Sequence, residues 1–348
     1  MTHIVPFVYI LEPILLHSHR DLAILSTRDP VEKIAHSENF SAARRSAMTI
    51  LILGGGDDDH AIFMHSHLRE RGHDVEMFDS RDFPTRLRMS HDPVGDTWTL
   101  SLPGGRVLPP GSVRSIYWRC YNGVEYPPLP NEEQAFIAGN DSRGLFESFL
   151  IRYPTRWVNG WSGFLLHQTK PVALARVARL GVEVPATLLT NEPEAVREFV
   201  ARHPRCIFKP VQGGAHTRHV GAEHLTDNNL GNLAFAPVTL QEEVAGTNIR
   251  VFVAGDTVLA CEVRSETLDF RDTADPEIVV HPLPPGMADR CRLIARTLDL
   301  IWTGIDFRLT KEGRYIFLEA NPSPMFRGFE ARCGLPLAAS LAELLTQI

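Results

Sequence analysis

The chain has little cysteine, and what it has shows no pairing pattern. Cys120, Cys206, Cys261, Cys291 and Cys333 are five in number and far apart, with no C-x-x-C pair, which fits neither a disulfide framework nor a zinc knuckle. A reducing, cytoplasmic setting is therefore expected. Positive charge is not in excess either. A formal net charge of -7 opposes the basic footprint on which nucleic-acid binding depends, so no nucleic-acid partner is expected. No apolar run has the length of a membrane span. The most apolar stretch, "IVPFVYILEPILL" near the amino terminus, is too short, is interrupted by Pro6, Glu12 and Pro13, and has neither a cationic start nor a small-residue cleavage site. It reads as neither a transmembrane helix nor a secretory signal. Internal repeats are absent, as are the G-x-x-x-x-G-K-[ST] loop and the G-x-S-x-G elbow, which removes the P-loop way of holding a nucleotide and serine-nucleophile chemistry.

What is present is a globular composition: 348 residues, 44% hydrophobic and 22% charged, enough for a large core and two or three domains. Residues 1–47 read as an amino-terminal extension of uncertain role, either an arm that packs or binds a partner or an appendage with little function. From Met48, "TILILGGGDDDHAIFMHSHLRERGHDVEMFD" gives a buried strand, a glycine turn, an amphipathic helix and a second strand, the opening of an α/β unit. Gly54, Gly55 and Gly56, with Asp79 at the end of the next strand, invite a dinucleotide site. The G-x-G-x-x-G spacing, however, needs glycine where Asp59 stands. Asp57, Asp58 and Asp59 would repel a pyrophosphate, and they suit the positive end of a helix as caps. Further strands at "TWTLSLP" and "VRSIYWRCY" and a helix from about 132 to 150 complete a unit over 48–160. A second unit is expected over 161–237 and a third over 238–348.

The chemistry concentrates in the second half. "RCIFKPVQGGAHTRHV" delivers Lys209 into a turn with Gly213 and Gly214, where an ammonium and backbone N–H groups can face phosphates; the plainer reading is a solvated lysine beside a hairpin. His216, His219 and His224 match no metal-ligand spacing. In "PVTLQEEVAGTNIRVFVAGDTVLACEVRS", Gln241, Glu242 and Glu243 close a strand, where a carboxylate and main-chain groups can bond an adenine edge. A hairpin follows with its turn at Gly255-Asp256, flanked by Arg250 and Arg264, whose guanidinium forks suit phosphate or acyl-phosphate oxygens. In "GIDFRLTKEGRYIFLEANPSP", a turn over 311–313 brings Asp306 opposite Glu319. Asn321 shares the face of Glu319, and Pro322 and Pro324 stop the strand. Three oxygen donors at one end of a sheet suit magnesium, a hard cation; the plainer reading is an acid pair on a solvated face.

The ordered series Lys170, Lys209, Gln241-Glu242-Glu243, Asn248-x-Arg250, Asp306 and Glu319-x-Asn321 resembles the ATP-grasp ligases over most of residues 48–348. "LRERGHDVEMFDSRDFP", "RWVN", "RSETLDFRDT" and "FLEANPSPMF" are most similar to the branch that holds the ribosomal-protein glutamate ligase and the graspetide (microviridin-type) peptide cyclases. The resemblance implies an α/β (α+β) molecule in three parts: an amino-terminal open α/β domain, a central lid and a carboxy-terminal ATP-grasp domain. It implies ATP and Mg²⁺ as cofactors. Lys170, Lys209 and the turn at Gly213 and Gly214 would hold phosphates, Glu242 with Gln241 and Glu243 would read adenine, and Asn248 would face the ribose. Asp306, Glu319 and Asn321 would bind Mg²⁺, while Arg250 and Arg264 steady the transferred phosphoryl group. Asn248 departs from the acid usual at that position, and His216, Arg218 and His219 make the lid turn bulkier than a plain glycine loop.

The implied reaction follows from carboxylate chemistry. A carboxylate is a poor electrophile, so the γ-phosphoryl group is moved onto it, and an amine or hydroxyl then displaces phosphate from the acyl phosphate. The products are ADP, phosphate and an amide or ester. A peptide or protein carboxylate is the expected substrate, and the sequence leaves the oligomeric state open, a homodimer among the options. The alternatives are ligation of small-molecule amino acids and a nucleotide-binding regulator without ligase activity.

Overall fold

Strand β1 (Thr49–Leu53) is TILIL, buried at every position, as a parallel strand covered on both faces must be. In the computed structural model, which describes residues 48–212, 217–264 and 276–347, β1 lies between β2 (Val75–Phe78) and β6 (Val113–Trp118). Strand β7 (Arg156–Val158) follows β6, giving a parallel sheet of order β2-β1-β6-β7. The glycine turn after β1 opens helix α1 (Asp59–Glu70), and the Asp58 carboxylate accepts a hydrogen bond from Ala61 N at 2.7 Å. Asp58 thus acts as the cap that its side chain favours, while Asp57 pairs with Arg81 and Asp59 stands in the first turn. Strands β3 (Arg88–Asp92), β4 (Thr97–Ser101) and β5 (Val107–Leu108) form an antiparallel sheet beside it. Helix α2 (Glu132–Arg152) buries Phe146, Phe149 and Leu150 against Phe78, Trp98 and Trp118.

After α3 (Trp161–Gln168) and α4 (Lys170–Ala178) comes a second sheet, built from β8 (Thr187–Thr190), β9 (Cys206–Lys209), β10 (Arg218–His219) and β11 (Val238–Glu242) in the order β10-β9-β11-β8. Helix α5 (Pro193–Arg202) lays Val196 and Phe199 on it with Leu230 of the short α6 (Asp227–Gly231). Strand β11 pairs with β8 and β9, which joins Val238–Glu242 to this sheet. Helix α4 buries Val177 in the core of the next sheet. Which sheet an element joins is settled by long-range pairing and burial, and no local signal marks it.

The third sheet is antiparallel throughout, in the order β14-β13-β12-β15-β16. Its strands are β12 (Thr247–Ala254), β13 (Thr257–Arg264), β14 (Glu277–Val280), β15 (Trp302–Leu309) and β16 (Tyr315–Asn321). Ala254 pairs with Thr257 across the expected two-residue turn, with Gly255 at φ 59°, the left-handed conformation such hairpins need. Helix α7 (Met287–Thr297) buries Cys291, Ile294 and Ala295 against Val251, Ile305 and Phe307 on one face. Helices α8 (Arg327–Cys333) and α9 (Leu337–Thr346) carry the chain back to the first sheet. There Ser115 Oγ donates to Leu345 O at 2.7 Å, and Leu341 and Leu344 share a core with Ile50, Ile52 and Val158. Among the described residues no helix is long and apolar enough to cross a membrane. The extension over 1–47, Gly213, Gly214 and His216, and the part of "RSETLDFRDT" after Arg264 lie outside the described residues.

Candidate functional site

The hairpin β15–β16 pairs Leu309 with Tyr315 and Phe307 with Phe317, then shifts by one residue so that Asp306 pairs with Glu319. Leu318 is the extra residue of a bulge. An unbroken ladder from the turn would place Glu319 opposite Ile305, on the face that buries Phe317. The bulge turns Glu319 to the face of Asp306, and Asn321, opposite Gly304, follows it. The expected pairing of the two acids is therefore present, and a bulge produces it.

Cations meet these acids. Arg250 lies directly across β12–β15 from Asp306 and grips it with both arms of its fork, Nε to Oδ1 and Nη2 to Oδ2 at 2.9 Å. Its guanidinium sits 5.4 Å from the ring centre of Phe329. Gly304 is needed here because a Cβ would come within 2.8 Å of Pro324 Cβ and 3.2 Å of Arg250 Cδ. Lys170 opens α4, and its Nζ bonds Glu319 Oε2 at 2.9 Å. Lys209, ending β9, donates to Gln241 Oε1 at 3.1 Å, and Gln241 Nε2 donates to Thr187 Oγ1 at 3.0 Å. Among the described residues Lys209 makes no ion pair. Burial, then the charge of Lys170, pushes its ammonium below the ordinary lysine range, against the pull of Glu319. Burial alone would raise the Glu319 carboxyl, but Lys170, by charge and hydrogen bond, with His167 and Lys209, holds it down at about 2. The His167 imidazole is lowered chiefly by burial, and its Nδ1 lies 3.1 Å from Ala320 O.

The structure thus gathers Lys170, Lys209, Gln241, Arg250, Asp306 and Glu319. Asn248 lies two residues from Arg250 on the same face of β12 and pairs with Arg308 across the sheet. Asn321 keeps its side-chain carbonyl on Ser323 N at 2.8 Å. The Glu242 carboxylate accepts from Ala186 N at 3.3 Å, while Glu243 is taken by Arg205 at 3.0 Å. Arg264 does not join the group. Cys261 and Val263 share the face of Arg250, so alternation sends Arg264 to the other face, where it pairs with Glu262 at 3.1 Å and Glu277 at 3.2 Å.

Asn159 is a residue the sequence did not mark for the site. It is 1% exposed. Its Nδ2 donates to Trp302 O and Pro322 O, both at 2.6 Å, and its Oδ1 accepts from Ile301 N at 2.8 Å and Trp302 N at 3.1 Å. One buried amide thereby ties the start of β15 to the residue that follows Asn321. Arg119 adds a second tie, from Asp58 at 3.0 Å to Ser323 Oγ at 2.8 Å. "RWVN" enters the family resemblance, but no periodicity within it announces this bracing role for Asn159.

The donors suit both groups that the resemblance implies. Two opposed carboxylates with an amide oxygen two residues on form an all-oxygen set of the kind a hard divalent cation takes. Among the described residues no cluster of three or more His, Cys, Asp or Glu side chains could hold a metal. Beside them a cleft is lined by Lys170 and Lys209 and walled by Leu174, Leu189, Val211 and Leu318, offering ammonium groups to anions and apolar surface to a ring.

A model of the RimK-like ATP-grasp domain matches residues 168–345, about half of the chain. The chain is 26% identical over 191 residues to a probable alpha-L-glutamate ligase 2 of Shewanella amazonensis, covering 51% of this chain and 62% of that protein. It is 27% identical over 184 residues to a probable alpha-L-glutamate ligase of Xanthomonas oryzae pv. oryzae, covering 49% and 62%. The chain thus spans about 62% of the length of these curated relatives. Among solved structures, the ATP-grasp ligase PsnB complexed with a minimal precursor is similar at a TM-score of 0.75 and 31% identity, over 86% of this chain and 98% of that one. The macrocyclase MdnC of Microcystis aeruginosa, bound with its precursor peptide MdnA, shares the fold at a TM-score of 0.76 and 21% identity, over 86% and 100%. On the domain match and the near-complete coverage of PsnB, the chain belongs to the RimK-like ATP-grasp family.

Proposed function

We propose that the protein is an ATP-dependent ligase that activates a peptide or protein carboxylate as an acyl phosphate and joins it to an amine or hydroxyl. The observation that carries this reading is the opposed pair Asp306 and Glu319, bonded to Arg250 and Lys170, beside a cleft lined by Lys170 and Lys209. The likeness to PsnB, solved with a precursor peptide, supports a peptide as the carboxylate source. Lys170 and Lys209 bind phosphate oxygens, Gln241 orients the Lys209 ammonium, and Arg250 offsets charge as the phosphoryl group moves. Asp306, Glu319 and Asn321 would hold Mg²⁺, which supplies charge neutralisation between the phosphates. The substrate carboxylate attacks the γ-phosphorus, ADP leaves, and the incoming nucleophile expels phosphate, so no protein nucleophile is consumed. A reducing cytoplasm fits the five cysteines, all of which are thiols.

The test is to incubate the protein with ATP, Mg²⁺ and an acidic peptide carrying Lys or Thr and to read the peptide mass. Loss of one water per bond is expected, marking intramolecular amide or ester formation. Gain of a glutamyl residue when glutamate is supplied would indicate the small-molecule ligation named for the curated relatives. Consumption of ATP with a small acid and never with peptide would remove the peptide from the proposal. The phosphate role of Lys209 has its own check. Lys209→Met keeps the stem and deletes the ammonium, so calorimetry should find ATP affinity lowered by about 10-fold or more with adenosine affinity nearly unchanged. Equal losses for both ligands would refute that role.

A further inference from the structure

Two of the cysteines that are far apart in sequence meet in the fold: Cys261 Sγ on β13 and Cys333 Sγ at the end of α8 lie 3.1 Å apart. We propose that Cys261 and Cys333 are a redox modification site, two thiols that glutathione disulfide closes reversibly into an intramolecular disulfide next to Arg250. The sulfurs need to approach by only about 1 Å to reach an ordinary S–S bond. They stand on two elements of one core, so neither strand nor helix has to unfold. Cys261 is fully buried and Cys333 half-buried, so Cys333 is the thiol that meets the oxidant first.

The exchange proceeds in two balanced steps. The Cys333 thiolate attacks one sulfur of glutathione disulfide, forming a mixed disulfide and releasing one glutathione thiolate. The Cys261 thiolate then attacks Cys333 Sγ, the protein S–S bond forms and the second glutathione leaves. Two protein thiols are oxidised, one glutathione disulfide is reduced to two glutathione molecules, and the two thiol protons pass through water to the leaving thiolates. Burial, reinforced by the neighbouring Cys333, pushes the Cys261 thiol up, which keeps it from reacting on its own and makes the second step depend on proximity. Disulfides formed in reducing compartments are usually transient and catalytic or redox-sensing.

The position carries a consequence that rests on the proposed role of Arg250. Cys261 is the cross-strand partner of Arg250. Cys333 Sγ now donates to the carbonyl of Phe329 at 2.8 Å, and the Phe329 ring is the one that lies against the Arg250 guanidinium. Closing the bond removes that donor and draws the end of α8 toward β13, so the surface packed on Arg250 shifts with the redox state.

The experiment treats the full chain, folded and without nucleotide, with glutathione disulfide, alkylates the remaining thiols, and reads intact mass, a peptide map and the melting temperature. A single Cys261–Cys333 link is expected, with a loss of about 2 Da and reversal by dithiothreitol. The bond closes a loop with a separation of 72 residues, so the melting temperature should rise by several degrees. Cys261→Ser should stop at a glutathione adduct on Cys333, and Cys333→Ser should give neither bond nor shift. A parent protein that remains fully reduced, keeps a stable adduct on Cys333, or links other cysteines overturns the proposal. None of these readouts requires ligase activity, so they fail or succeed independently of the function proposed above.

Discussion

Glu319→Gln is expected to lower ATP turnover by about 100-fold or more, in the range lost with a main electrostatic group of an active site. The carboxyl is held at about 2 by Lys170, His167 and Lys209 against the penalty of burial, so it is ionised throughout any working pH. Glutamine therefore removes a full negative charge and almost no volume. In the free protein the same change replaces the charged partner of Lys170, bonded at 2.9 Å, with a neutral amide and leaves three cations around a single carboxylate, Asp306. Mg²⁺ should then be required at higher concentration, and its titration monitored by nucleotide binding reports this without turnover. ADP release at saturating Mg²⁺ equal to that of the parent would show that Glu319 is not a metal ligand.

Asn159→Leu is expected to destabilise the fold by about 3–5 kcal/mol, because it leaves up to four buried backbone groups without partners at once. Leucine keeps the number and branching of side-chain heavy atoms, so no cavity opens, and its extra bulk adds to the polar cost. The groups are the carbonyls of Trp302 and Pro322 and the N–H groups of Ile301 and Trp302. Their individual penalties do not add simply, since all four share one side chain. Urea unfolding at fixed m-value measures the loss. The same bonds fix the residue after Asn321, so the surviving folded protein should also bind Mg²⁺–nucleotide more weakly. A loss below about 1 kcal/mol would mean that Asn159 does not brace this end of β16.

Several features could be read locally. "TILIL" is apolar enough to announce a strand buried on both faces, Asp58 precedes a helix as a cap should, and Gly255-Asp256 is a two-residue hairpin turn by composition alone. Each depends on residues within one turn or one ladder step, and period and capping chemistry are properties of such short stretches. The two acids of β15 and β16 were also legible as partners, although the bulge at Leu318 that makes them so was not. Arg264 shows the opposite outcome. It looked equivalent to Arg250 because both flank one hairpin, yet the period of two sends it to the other face.

The amino-acid order by itself determined the elements, the turn chemistry and the set of charged groups available to a nucleotide and a cation, because those follow from covalent spacing along the chain. Only the tertiary structure decided that β11 belongs with β8 and β9, that Asn159 ties Trp302 to Pro322, and that Cys261 meets Cys333. These joins connect residues far apart in sequence. Their loop-closure entropy is repaid only when a whole sheet or core assembles, so no local pattern carries them.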